Sequence, residues 1–164
     1  MNLEALSTSN RAAGAILGAF IGDALGLGPH WYYDLAELRR DFGPWIDGYT
    51  KPKPAHRYHA GMKAGDLSQS GLIMLELLRS LAECNGYEAG NFTRRLDDKI
   101  LAKFDGNPFH GPGGYTNHSI RQTWQARTQD GKEWGEAGGN ADTSEAAERV
   151  SLLAAFFAAD PCVC

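Results

Sequence analysis

The sequence predicts an all-α chain, and three observations carry that prediction. Apolar residues recur at three- and four-residue spacing in five segments, the period of one helix face. No segment of strand length alternates apolar with polar residues. Glycine and proline gather mostly between those segments, where turns belong. The 164 residues, 43% apolar and 22% charged, have ordinary globular composition and suffice for one helical domain over 1–164 with a sizeable core. A formal net charge of −4 argues against nucleic acid or an anionic membrane as partner, since phosphates reward a basic face. No stretch approaches the roughly 18 apolar residues of a membrane span. Met1 to Asn10 is polar and lacks the basic start and apolar run of a signal peptide, so the expected location is the cytoplasm. Cys84, Cys162 and Cys164 are odd in number and include no C-x-x-C pair, which argues against a disulfide framework or a zinc knuckle.

The elements follow in order. Arg11 to about Leu27 reads as a helix, with Ile16, Phe20 and Leu27 at helical spacing. Gly14, Gly18, Gly22 and Gly26 recur along one side of it, each costing about 1 kcal/mol against alanine. Such a row implies that another backbone packs closely there. Pro29 ends the helix. Leu35 to Asp41 is a short helix candidate, and Gly43 to Gly65, with Pro44, Pro52 and Pro54, is a loop long enough to be functional. Ser68 to Glu83 is apolar on nearly all sides, through Leu72, Ile73, Met74, Leu75, Leu77, Leu78 and Leu81, so it is central and buried. Glu88 to Phe104 is amphipathic, with Phe92, Leu96, Ile100 and Phe104. Gly106 to Tyr115 and Gly131 to Gly139 are loops flanking a helix over Asn117 to Arg127. The last helix runs from Asp142 to Ala159, with Asp142 and Glu145 at box spacing for a helix start.

Four groups of residues could carry chemistry. Asp23 projects from the apolar stripe of its own helix, and a buried carboxylate demands a partner: a cap, an arginine, a metal or a ligand. Asp66 and Ser68 stand just before the central helix, where a carboxylate and a hydroxyl serve either as caps or as hard oxygen ligands for Mg²⁺. Asn140, Asp142 and Thr143 follow Gly138-Gly139 and are again caps, or contacts to a sugar or metal. Arg149 lies four residues after Glu145, the spacing of a surface ion pair. The five histidines, His30, His56, His59, His110 and His118, show no metal-ligand spacing on one helix face.

Three segments together resemble the ADP-ribosylglycohydrolase family. Gly14 to Gly26, through Gly22-Asp23, is similar to the family's opening Gly-rich helix ending in Gly-Asp. Gly65-Asp66-Leu67-Ser68-Gln69 occupies the place of its Thr-Asp-Asp-Thr motif. Asp142 to Pro161, with Arg149-Val150-Ser151-Leu152-Leu153, is similar to its middle segment, Met-Arg-x-x-Pro-Leu leading to an Asp-Pro. The resemblance implies a multi-helix orthogonal bundle, two Mg²⁺ ions in many members, and cleavage of the N- or O-glycosidic bond joining ADP-ribose to its acceptor. In that chemistry the metals hold the ribose and polarise an attacking water. By resemblance, Asp66 and Ser68 are the expected metal ligands, while Asp23, Asn140, Asp142, Thr143 and Arg149 are the expected contacts to an ADP-ribosylated substrate. No general base emerges.

The departures have consequences. Gly65 stands where the first Thr belongs and Leu67 where the second Asp belongs, which lowers the charge of a hard-cation site. The variant pattern, preceded by His59-Ala60-Gly61-Met62-Lys63, is more similar to the crystallin J1 and selenoprotein J branch. The resemblance also implies a longer fold, of which these residues would be the N-terminal half. The apolar helix faces left open would then be covered by a second copy or by the remainder. The alternative expectation is a non-catalytic ADP-ribose-binding or structural relative, or a truncated inactive product.

Overall fold

A computed structural model describes residues 7–53, 57–59, 61–141 and 143–158. These residues form α1 (Thr8–Leu27), α2 (Leu35–Phe42), α3 (Gln69–Cys84), α4 (Ala89–Lys99), α5 (His118–Thr128) and α6 (Glu145–Phe156), with 3₁₀ turns at Arg57–His59 and Leu101–Lys103. The all-α expectation holds: among the described residues there is no strand, only an isolated bridge between Gly111 and Gly114.

Local chemistry sets most helix starts. The Ser7 side chain accepts the Asn10 N–H at 3.2 Å, so α1 begins three residues before the apolar periodicity does. Asp34 Oδ1 caps α2 by accepting the Ala36 N–H at 2.8 Å, and Asn117 Oδ1 caps α5 by accepting the Ile120 N–H at 2.8 Å. Helix α3 ends on Asn85 in the left-handed region, at φ 50°, a conformation asparagine tolerates well.

Helix α3 is the centre, as its all-round apolar surface predicts. On one side Met74, Leu77 and Leu81 pack with Leu152 of α6 and with Phe20 of α1. On the other, Ile73 packs with Ile100 and Leu101, and with Phe92, Leu96, Ile120, Trp124 and Trp134. A buried acid sits among these residues. Glu76, whose side chain is 6% exposed, pairs with Arg79 at 2.6 Å and with Arg95 of α4 at 3.4 Å.

Two further boundaries differ from the sequence-based expectation. The amphipathic pattern through Phe104 breaks after Lys99, and the chain tightens into the 3₁₀ turn, which sinks both Ile100 and Leu101 into the core. Burial of two consecutive apolar residues overrides helical periodicity there. Helix α6 starts at Glu145 with no side-chain cap from Ser144, later than the Asp142–Glu145 box implies. Asp142 itself, like Ala159, lies outside the described residues.

The glycine row of α1 is a larger correction. A Cβ placed on Gly14, Gly18, Gly22 or Gly26 would meet nothing within 4 Å, so no neighbouring backbone packs there. The row faces open space, and Leu17 and Ile21 of the same helix are exposed as well. Among the described residues, no helix is long and apolar enough to cross a membrane.

Candidate functional site

The N-terminal turns of three helices meet at one cleft, and a side-chain network holds them there. Asp23 begins it. From α1 its Oδ2 accepts the Ser68 N–H at 2.8 Å and its Oδ1 accepts the Ser68 hydroxyl at 2.5 Å. Ser68 Oγ in turn accepts the Gly71 N–H at 3.3 Å, capping α3. The Asp23 carboxylate therefore stands at the positive end of α3, where negative charge is favoured. Gly71 makes the approach possible: a Cβ there would lie 2.2 Å from Asp23 Oδ2. Gly113, at φ 77°, brings the 106–115 loop onto the same helix start, and a Cβ on it would lie 2.2 Å from the Gln69 nitrogen.

The network continues across α5 and α6. Gln69 Oε1 accepts the Asn117 N–H at 3.2 Å, and Asn117 Nδ2 donates to Glu145 Oε2. The Ser70 hydroxyl donates to Glu148 Oε2 at 2.8 Å. Between these groups and α1 lies a cleft of about 850 Å³, within the range of small-molecule sites. Gly18, Gly22 and Gly26 form one wall, and an aromatic group forms another. In that group Trp31, at φ 70°, stacks on Tyr58 with ring centroids 4.3 Å apart and meets Tyr115 edge-on at 5.5 Å. His30 lies against Trp31 and His59. Partial burial pushes its imidazole below the ordinary value, and the Asp23 carboxylate opposes that shift.

Of the residues singled out from the sequence, Asp23, Ser68 and Thr143 line this cleft. Asp66 does not: it is an exposed turn residue whose Oδ2 accepts the Lys63 N–H at 2.7 Å. Asn140 is exposed outside the cleft, its N–H donating to Gln122 Oε1 at 2.8 Å. Arg149 forms no ion pair with Glu145, correcting the surface-pair expectation; it lines a separate cavity. Asp142 and His56 lie outside the described residues. Sequence reasoning missed Gln69, Asn117, Glu145 and Glu148 as cleft residues. Only the helix-start position of Asn117 hinted at its role.

A Mg²⁺ site calls for several hard oxygens on one point. Among the described residues no group of three His, Cys, Asp or Glu side chains could hold a metal ion. Asp66 is turned to its own loop, Leu67 offers no donor, and Asp23 and Ser68 are bonded to each other. The described donor set therefore does not fit the cation.

The model of the ADP-ribosylglycohydrolase family, a family of generally metal-dependent hydrolases, matches residues 4–163. No curated protein and no solved structure matches the chain. With nearly the whole length matched and the Gly-Asp of α1 placed at the cleft, the chain belongs to the ADP-ribosylglycohydrolase family.

Proposed function

We propose that the cleft takes up the ADP-ribosyl group of a substrate and that the chain hydrolyses its N- or O-glycosidic bond. The observation that carries this reading is the convergence of the starts of α3, α5 and α6 on one cleft, through Ser68, Gln69, Asn117 and Thr143. Helix N-termini carry positive potential, which suits a diphosphate, and the start of α6 has no side-chain cap to compete for its N–H groups. Asp23 acts as a positioning residue: it fixes Ser68 and with it the start of α3. Thr143 supplies a hydroxyl from the loop that also carries Asn140 and Asp142. Trp31 and Tyr115 give the ligand's base an aromatic wall. Glu145 and Glu148 present two carboxylates to the same space, and glycosidic hydrolysis uses a pair of them, one handling the leaving group and one the water.

A second reading, a family member that binds ADP-ribose without turnover, is favoured by Leu67 in the place of a carboxylate and by Asp66 outside the cleft. Hydrolysis of ADP-ribosylated peptides, N- and O-linked, separates the two. Turnover that falls at least tenfold in Glu145→Gln or Glu148→Gln supports hydrolysis. Binding of ADP-ribose with no turnover of either substrate supports the second reading, and no binding at all overturns both.

A further inference from the structure

A second cavity, of about 230 Å³, adjoins the cleft at α6, with Glu145 lining both. Its walls are mostly apolar, from Ile73, Phe92, Leu96, Ile120 and Trp134, and Arg149 enters it from α6. The polar groups of the wall divide sharply. The Thr123 hydroxyl donates to the Ser119 carbonyl at 3.0 Å, the Ser119 hydroxyl to Asn117 Oδ1 at 2.9 Å, and Trp134 Nε1 to Asp97 at 3.0 Å. Arg149 differs from these donors: its Nε is buried without a hydrogen-bond partner. The two acids nearest to it on the helix do not supply one. Glu145 accepts from Asn117, and Glu148 accepts from Ser70 and Ser144. Burial accordingly pushes the Arg149 guanidinium down, against the pull of both acids.

A half-buried guanidinium whose Nε lacks a partner, set among apolar walls, calls for a ligand that is itself divided, with an apolar body and an acceptor at one end. The guanidinium fork matches a carboxylate best, through two parallel N–H···O bonds. Size narrows the body. An apolar cavity of roughly 150 Å³ takes a benzene ring, so 230 Å³ accommodates one ring and its carboxylate. We propose that this cavity is a binding site for a small aromatic or cyclic carboxylate, with Arg149 as its anion anchor and Phe92, Leu96 and Trp134 around its ring. The site shares only Glu145 with the cleft and does not depend on what the cleft binds.

Benzoate is the probe, titrated into the isotope-labelled 164-residue chain and followed by amide and indole chemical shifts. The expected result is saturable movement of the Trp134 indole and the Leu96 and Ile120 amides. Benzamide, the neutral molecule of the same shape, binds at least tenfold more weakly, and Arg149→Met weakens benzoate by at least tenfold. Should Arg149→Met fail to fold, the comparison of benzoate with benzamide on the unaltered chain decides. Equal binding of the two, shifts confined to cleft residues such as Gly22 and Trp31, or no saturable shift overturns the assignment.

Discussion

The glycine row of α1 sets two consequences of one substitution against each other. A Cβ on Gly14, Gly18 or Gly22 meets nothing within 4 Å, so alanine introduces no clash at any of them. Alanine is favoured over glycine in a helix interior by about 1 kcal/mol. Gly18→Ala with Gly22→Ala should therefore stabilise the chain by about 2 kcal/mol if the sites add. In a chain of this length that raises Tm by roughly 4–8 °C. The two methyls also enter the cleft that Gly18 and Gly22 line, and there they displace space a ligand would use. The pair should thus melt higher and bind ADP-ribose more weakly. Gly14→Ala is the internal control, because Gly14 does not line the cleft: it should gain stability and keep its affinity. Thermal melts by circular dichroism and calorimetric titration of ADP-ribose measure both quantities on the same samples. A lowered Tm in the double variant would refute the open-wall geometry, since it would mean that something packs against the row after all. Raised Tm with unchanged affinity would refute the assignment of the ligand to this wall.

Gly71→Ala should behave oppositely although it too is a helix glycine, because its Cβ would lie 2.2 Å from Asp23 Oδ2 and drive the carboxylate from Ser68. Charge-assisted hydrogen bonds are each worth about 1.5–3 kcal/mol, and a fall of that order in urea-unfolding free energy is expected. Arg95→Met leaves Glu76 buried with Arg79 alone and should cost about 3 kcal/mol in the same assay. His30 gives a pH dependence. Its folded value lies below the ordinary one, so the unfolded chain binds the proton more readily and stability falls as pH drops below about 6.5. His30→Gln should flatten that part of the urea-midpoint profile, and a steeper slope in the variant would contradict the assignment.

Periodicity made the helices legible, and the most apolar of them was legible as the centre. The need of Asp23 for a partner was also written in its position on an apolar stripe. What the sequence withheld was which group answers that need. Ser68 lies 45 residues away, while its neighbour Asp66, the natural companion by spacing, closes a turn with Lys63 instead. Spacing likewise told that the glycines share a face, but not what stands across from it. The i,i+4 relation of Glu145 and Arg149 suggests a pair on an isolated helix. Packing of α6 against α1 and α3 instead gives Glu145 to Asn117 and leaves Arg149 in its own cavity. Each of these outcomes depends on tertiary neighbours that no local pattern encodes.

We propose that ADP-ribose occupies the cleft between α1 and the starts of α3, α5 and α6. Chemical-shift mapping of ADP-ribose on the isotope-labelled chain, in the presence of EDTA, tests it most directly. Occupancy of the cleft predicts saturable shifts at Gly18, Gly22, Ser68, Asn117 and Thr143, with Leu96 and Trp134 unmoved. Shifts elsewhere, or none until Mg²⁺ is restored, would contradict it.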